Sequence, residues 1–180
     1  MLFAYADPPY IGQAKRHYEG FEVDHGALID YLQSDFPDGW ALSCSSPSLR
    51  LILPECPTDI RIASWVKPFC AFKRGVRPAY AWEPIIYRGG RNPSNGHPHK
   101  PPEKGGKQTT PKDFHSAPIM LQTGLVGAKP ESFCRWVLEL LNVQIGDFVV
   151  DLYPGTGAMT RVIYDVTANE IGRASCRERV

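Results

Sequence analysis

Near the start of the chain, Asp7-Pro8-Pro9-Tyr10 sets a carboxylate, two ring-locked carbonyls and an aromatic side chain in a row. The four follow Phe3-Ala4-Tyr5-Ala6, a short apolar run that reads as a buried strand ended by the double proline. Proline fixes φ, so the acceptors of this turn are held in place at the strand's carboxyl end. In an open α/β sheet that edge is where ligands bind. Four residues by themselves also fit a plain Pro turn with Tyr10 in the core, so their meaning depends on what else reaches that edge.

The second constellation is Asp151-Leu152-Tyr153-Pro154-Gly155-Thr156-Gly157. Phe148-Val149-Val150-Asp151-Leu152 reads as a buried parallel strand, and the glycines open a helix. A strand ending in Asp, then Gly-x-Gly and a helix start, suits a nucleoside cofactor. The glycines let the backbone approach the ligand, and the helix N-terminus offers N–H groups. The dinucleotide fingerprint does not fit: its third glycine would fall at Thr160, and no ribose-binding acid is evident about 20 residues on.

Composition narrows the partners. The chain is 43% hydrophobic, enough for a real core in a single domain. There is no run of 18 apolar residues, and the N-terminus begins a strand rather than a signal, so a soluble protein without membrane contact is expected. Five cysteines, an odd number without a CxxC pair, fit a reducing cytoplasm. The net charge of +1 hides an asymmetry. Residues 1–60 carry 3 basic and 9 acidic residues, 61–112 carry 11 and 2, and 113–180 carry 6 and 8. A basic block of this kind suits a polyanion, with a merely solvated loop as the alternative. Within it, Phe69 to Pro78 mixes aromatics and cations, and Lys67, Lys73, Arg74 and Arg77 are the candidate phosphate contacts. Lys15 and Arg16, in the loop after the first strand, are a candidate substrate clamp, while His17 beside them reads as a surface histidine. His97, His99 and His115 share no ligand spacing with a cysteine or carboxylate, and no metal is expected.

The elements that position these residues follow from pattern. Asp24 should cap a helix running to about Asp35, with Leu28, Tyr31 and Leu32 on one face. Pro37-Asp38-Gly39 is a turn, Trp40 to Cys44 a second strand, and Ser48 to Leu53 a short helix. Cys44 and Cys56 read as small core residues. A third strand covers 59–66, closed by Lys67-Pro68, and a fourth runs antiparallel from Tyr80 to Tyr87. Residues 88–118 carry no regular pattern. Lys129-Pro130-Glu131 starts a helix whose stripe is Phe133, Trp136, Val137, Leu140 and Leu141. The expectation is one α/β domain over residues 1–170 with about five strands, the terminal strand 148–152 pairing in parallel beside 2–6. Within it, 67–118 forms a basic, partly irregular insertion. Residues 171–180, which lack apolar periodicity, read as a disordered or non-native tail.

Asp7-Pro8-Pro9-Tyr10 resembles motif IV of the SAM-dependent amino-methyltransferases that modify adenine N6 or cytosine N4. Asp151 to Gly157 resembles their motif I, D-x-F-x-G-[ST]-G, which binds SAM, and Lys129-Pro130 resembles motif X. The order, with motif IV first, a basic region next and motifs X and I last, is that of the permuted β-type DNA amino-methyltransferases. Short phage-encoded enzymes look similar, and Trp65-Val66-Lys67-Pro68 echoes the adenine-N6 group. The resemblance extends to about residue 165. It implies a permuted Rossmann-like methyltransferase fold, S-adenosyl-L-methionine as cofactor and double-stranded DNA as partner, with a homodimer left open. A phage-encoded enzyme would work in a bacterial host's cytoplasm.

By the same resemblance, Asp7, Pro8, Pro9 and Tyr10 form the catalytic and target-base set. Asp151, Tyr153, Gly155, Thr156 and Gly157, with Lys129 and Pro130, form the cofactor site, and 67–112 contains the DNA contacts. An exocyclic amine attacks poorly while its lone pair is delocalised into the base. The Asp7 carboxylate and the Pro8 carbonyl are the implied acceptors that would turn that lone pair outward, and Tyr10 would stack on the base. Asp at the first position favours adenine, since Ser is commoner in the cytosine enzymes. Cytosine N4, RNA adenine and an inactive nucleic-acid-binding relic are the alternatives. In the family an acid on a later strand holds the cofactor ribose. Here 23 residues follow Gly157 and Glu170 is the nearest acid, so a weakened grip on SAM is expected.

Overall fold

The computed structural model of the 180-residue chain describes residues 1–14, 20, 22–70, 74–92, 111–120 and 128–168. Six strands lie in one sheet: β1 (Leu2–Ala6), β2 (Gly39–Ser43), β3 (Arg61–Val66), β4 (Trp82–Gly89), β5 (Phe114–Ser116) and β6 (Phe148–Asp151). Their order across the sheet is β5-β3-β4-β2-β1-β6. β1 pairs in parallel with β2 on one side and β6 on the other, and β4 runs antiparallel between β2 and β3.

The helices are α1 (His25–Asp35), the single turn α2 (Leu49–Ile52), α3 (Glu131–Leu140) and α4 (Ala158–Thr167). Strand alternation splits the core in two. Phe3 and Tyr5 of β1 pack with Phe133, Trp136 and Val137 of α3 and Met159 and Val162 of α4. Ala4 and Ala6 face the opposite side, with Leu28, Ile29 and Leu32 of α1 and with Trp40 and Leu42 of β2. β1 is thus covered on both faces, which is why its sequence is continuously apolar. Asp24 caps α1, its carboxylate accepting the Ala27 N–H at 3.0 Å. Cys44 and Cys134 are buried, and burial pushes both thiols up to about 12.

Several expectations change. A sixth strand, β5, lies in the stretch without pattern and adds only three residues beside β3. Ile29 takes the core position expected for Tyr31, which is 44% exposed and edge-on to Phe36. The third strand starts at Arg61 rather than 59, and its alternation buries Ala63 and Trp65 while Ile62 is 43% exposed. β6 is parallel but not buried. Among the described residues it has β1 as its one strand neighbour, and Phe148 is 73% exposed. No described helix is long and apolar enough to cross a membrane.

Candidate active site

Three strands each deliver a charged residue to the same end of one sheet face. Side chains alternate, so the positions on that face run Phe3, Tyr5, Asp7 along β1 and Ala63, Trp65, Lys67 along β3. On the antiparallel β4 they run Tyr87, Ile85, Glu83. Each series is apolar until its last member. Lys129, four residues before Phe133 and just ahead of α3, brings a fourth charge to the same place.

With Tyr10 these four close a network. The Lys129 ammonium donates to Asp7 Oδ2 at 2.8 Å, to Asp7 Oδ1 at 3.0 Å and to the Tyr10 hydroxyl at 3.2 Å. The Tyr10 hydroxyl donates to Glu83 Oε2 at 2.7 Å, and Lys67 Nζ donates to Glu83 Oε1 at 2.7 Å. The lysine side chains are 8% and 9% exposed, the two acids 20% and 18%. Two cations therefore face two anions. The balance matters, because an uncompensated charge at such depth costs several kcal/mol. The ammonium of Lys129 is also 5.5, 5.9 and 6.0 Å from the ring centres of Tyr10, Trp65 and Phe133.

The two acids respond differently. Burial lifts the Asp7 carboxyl above its ordinary 3.8, Lys129 pulls against that, and Glu83 and Asp151 add to the rise. Burial pushes on Glu83 as well, but Lys129, Lys67 and the Tyr10 hydroxyl outweigh it and hold Glu83 below the usual range. Burial, then Glu83 and Asp7, drive the Tyr10 phenol well up, so it remains a donor.

The glycine turn leaves the same edge. In the β1–β6 pairing Tyr5 stands opposite Asp151, and the Leu152 N–H donates to the Tyr5 carbonyl at 3.0 Å. Asp151 Oδ2 accepts from Thr160 Oγ1 at 2.7 Å. Its Oδ1 is buried and meets no donor among the described residues. Gly155 and Gly157 have φ of 48° and 72°, and Gly157 sits at the N-cap of α4. A Cβ at Gly157 would meet only the flexible end of Arg161, at 3.5 Å, so the backbone angle rather than space calls for glycine. Arg161 braces the turn, its guanidinium donating to the Thr156 carbonyl at 3.2 Å.

Asp7, Pro8, Pro9, Tyr10, Asp151, Tyr153, Gly155, Thr156 and Gly157 are thus gathered at the carboxyl ends of two adjacent strands. Lys129 reaches this edge too, but on Asp7 rather than on the glycine turn, and Pro130 caps α3. Lys67 is a correction. Grouped by sequence with the phosphate-contacting cations, it lies inside the domain, its charge committed to Glu83. Arg74 and Arg77 are exposed between β3 and β4, in company with exposed Phe69, Tyr80 and Trp82. His115 stacks on Trp136 and lies 3.1 Å from Ser132 Oγ. Lys15, Arg16, His17, Lys73, His97, His99, Glu170 and residues 171–180 lie outside the described residues. Glu83 escaped the sequence reading. Its one signal is a lone carboxylate in the apolar run Trp82-Glu83-Pro84-Ile85-Ile86-Tyr87.

No protein-family model and no curated protein matches the sequence. Solved structures do match. The complex of M1.HpyAVI with SAM superposes with a TM-score of 0.56 at 15% identity, over 99% of this chain and 88% of that one. This chain has the M1.HpyAVI fold. A second structure of M1.HpyAVI gives 0.52 at 14% identity, over 99% and 87% of the two chains. The mixed sheet with helices on both faces is accordingly a Rossmann-like α/β architecture.

Proposed function

We propose that this chain is a SAM-dependent methyltransferase acting on the N6 amine of adenine in double-stranded DNA. The observation that carries the reading is the parallel β1–β6 pairing. It sets Tyr5 opposite Asp151 and so brings the Asp7 turn beside the Gly155 turn, 148 positions later in the chain. M1.HpyAVI, whose structure in complex with SAM shares this fold, supports the cofactor.

The residues at the turn suit SAM. Asp151 Oδ1 is a buried acceptor that meets no donor among the described residues, which fits a ligand carrying hydroxyl and ammonium groups. Gly155 and Gly157 keep the backbone open to close approach at the start of α4. Asp151, Tyr153, Gly155, Thr156 and Gly157 would hold the cofactor, with Pro130 nearby. When bound, SAM supplies a sulfonium methyl group for transfer to nitrogen, the C–S electron pair staying with sulfur.

The chain's own residues act on the amine. Asp7 and the Pro8 carbonyl accept its two N–H bonds, which turns the nitrogen lone pair out of the base plane. Tyr10, its hydroxyl tied to Glu83, presents a ring of set orientation for stacking on the extruded base. Positioning and fixed dipoles supply the rate, and the amine needs no base before it reacts. Exposed Arg74 and Arg77, beside Phe69, Tyr80 and Trp82, suit phosphate contacts and stacking, together with Lys73, Lys15 and Arg16.

The test is nucleoside identification. The protein is incubated with methyl-labelled SAM and plasmid DNA, the DNA is digested, and the labelled nucleoside is identified by chromatography. N6-methyladenine is expected. Label only in N4-methylcytosine, only in RNA supplied in parallel, or in no nucleic acid contradicts the assignment.

A further inference from the structure

Lys129 donates to both oxygens of Asp7, the acceptor that the proposed reaction needs. A carboxylate keeps further lone-pair directions, but an ammonium on both oxygens draws down its strength toward a new donor. In the reaction as set out above Glu83 only steadies Tyr10, yet it is also built into the network around Asp7.

We propose that Glu83 is a positioning residue that offers Lys129 a second berth, so that Asp7 is released to the target amine when DNA arrives. This rests on the methyl-transfer reading. Glu83 Oε2 lies 3.7 Å from the Lys129 ammonium, which is ion-pairing distance but short of a hydrogen bond. The Tyr10 hydroxyl bridges the gap, 3.2 Å from that ammonium and 2.7 Å from Glu83 Oε2. A shift on the order of 1 Å at the end of a flexible four-carbon stem would turn the longer contact into a direct bond. The route is lined for a cation by the rings of Tyr10, Trp65 and Phe133. Lys67 sits on the other oxygen, Glu83 Oε1, and leaves Oε2 turned toward Tyr10 and Lys129. With Lys67, Lys129 and Tyr10 around it, Glu83 stays ionised despite its burial.

The rival explanation is plain charge balance, with Glu83 present only to neutralise Lys67. Two variants separate the two. Glu83→Gln keeps the shape and removes the charge, while Glu83→Gln with Lys67→Met restores neutrality without restoring the berth. Single-turnover methyl transfer to plasmid DNA and SAM affinity by calorimetry are measured for both and for the wild type. The expected result is a transfer rate at least about 10-fold lower in both variants, equivalent to about 1.4 kcal/mol of barrier, with SAM affinity within about twofold of wild type. A wild-type rate in Glu83→Gln, or its recovery in the double variant, overturns the proposal. Tyr10→Phe keeps the ring and loses the hydroxyl, and with it both the bridge to Lys129 and the tie to Glu83. It should slow transfer as well, and it decides the matter if the Glu83 variants do not fold: an unchanged rate then refutes the berth. No transfer by the wild type would overturn the methyl-transfer reading itself, and this inference with it.

Discussion

The ammonium of Lys129 bonds both carboxylate oxygens of Asp7, at 2.8 and 3.0 Å, across 122 positions of sequence. One residue ends a strand and the other precedes a helix. Their pairing fastens the start of α3 to the end of β1, where the sheet presents its candidate site.

Breaking that pair should be costly. Lys129→Met leaves Asp7 half-sheltered without a partner, and removing one member of a buried pair costs about 3–5 kcal/mol. Urea unfolding should show that loss. The double variant Asp7→Asn with Lys129→Met should lose less than the two single losses combined, because neither charge is then stranded. Additive losses would mean the two side chains do not interact energetically.

The pH profile follows from the direction of the Asp7 shift. The proposed transfer would need the ionised carboxylate, and burial raises its pKa above 3.8. As pH falls, kcat/KM should therefore decline at a midpoint above the ordinary aspartate value. Lys129 favours the charged form, so in Lys129→Met the midpoint should move further up. An acid limb at or below 3.8 in the wild type would contradict the burial of Asp7 in the working enzyme.

Much of this arrangement was legible in the sequence. The Asp7 and Asp151 turns each mark a strand end, and their parallel pairing through β1 and β6 is the one expected. Asp24 and the α3 stripe were readable because caps and 3.6-residue periodicity are local signals. Lys67 and Glu83 were not. They lie 16 positions apart, one just past β3 and the other in β4, and their ion pair is a long-range contact that no local pattern announces. The exposure of Phe148 was hidden as well, since a run as short as Phe148-Val149-Val150 carries no sign of how many strands will flank it.

Gly157→Ala tests the proposed cofactor turn. At φ of 72° a side chain costs about 1–2 kcal/mol, although a Cβ there meets little. A modest fall in Tm together with a weakened SAM affinity is expected. Unchanged SAM affinity would place the cofactor elsewhere.

Arg74 and Arg77 test the proposed DNA face. Each phosphate contact contributes about 0.9 to the slope of log K against log salt, so replacing both by Ala should reduce the slope by about 2. Both side chains are exposed, and the fold should be unaffected. An unchanged slope would make them bystanders.

The most direct measurement compares the wild type with Asp7→Ala for methyl transfer from labelled SAM to adenine in plasmid DNA, with SAM binding followed by calorimetry on the same samples. The expected result is N6-methyladenine from the wild type and none from Asp7→Ala, while the variant still binds SAM. Near-normal adenine methylation by Asp7→Ala would contradict the assignment of this strand end as the site of the reaction.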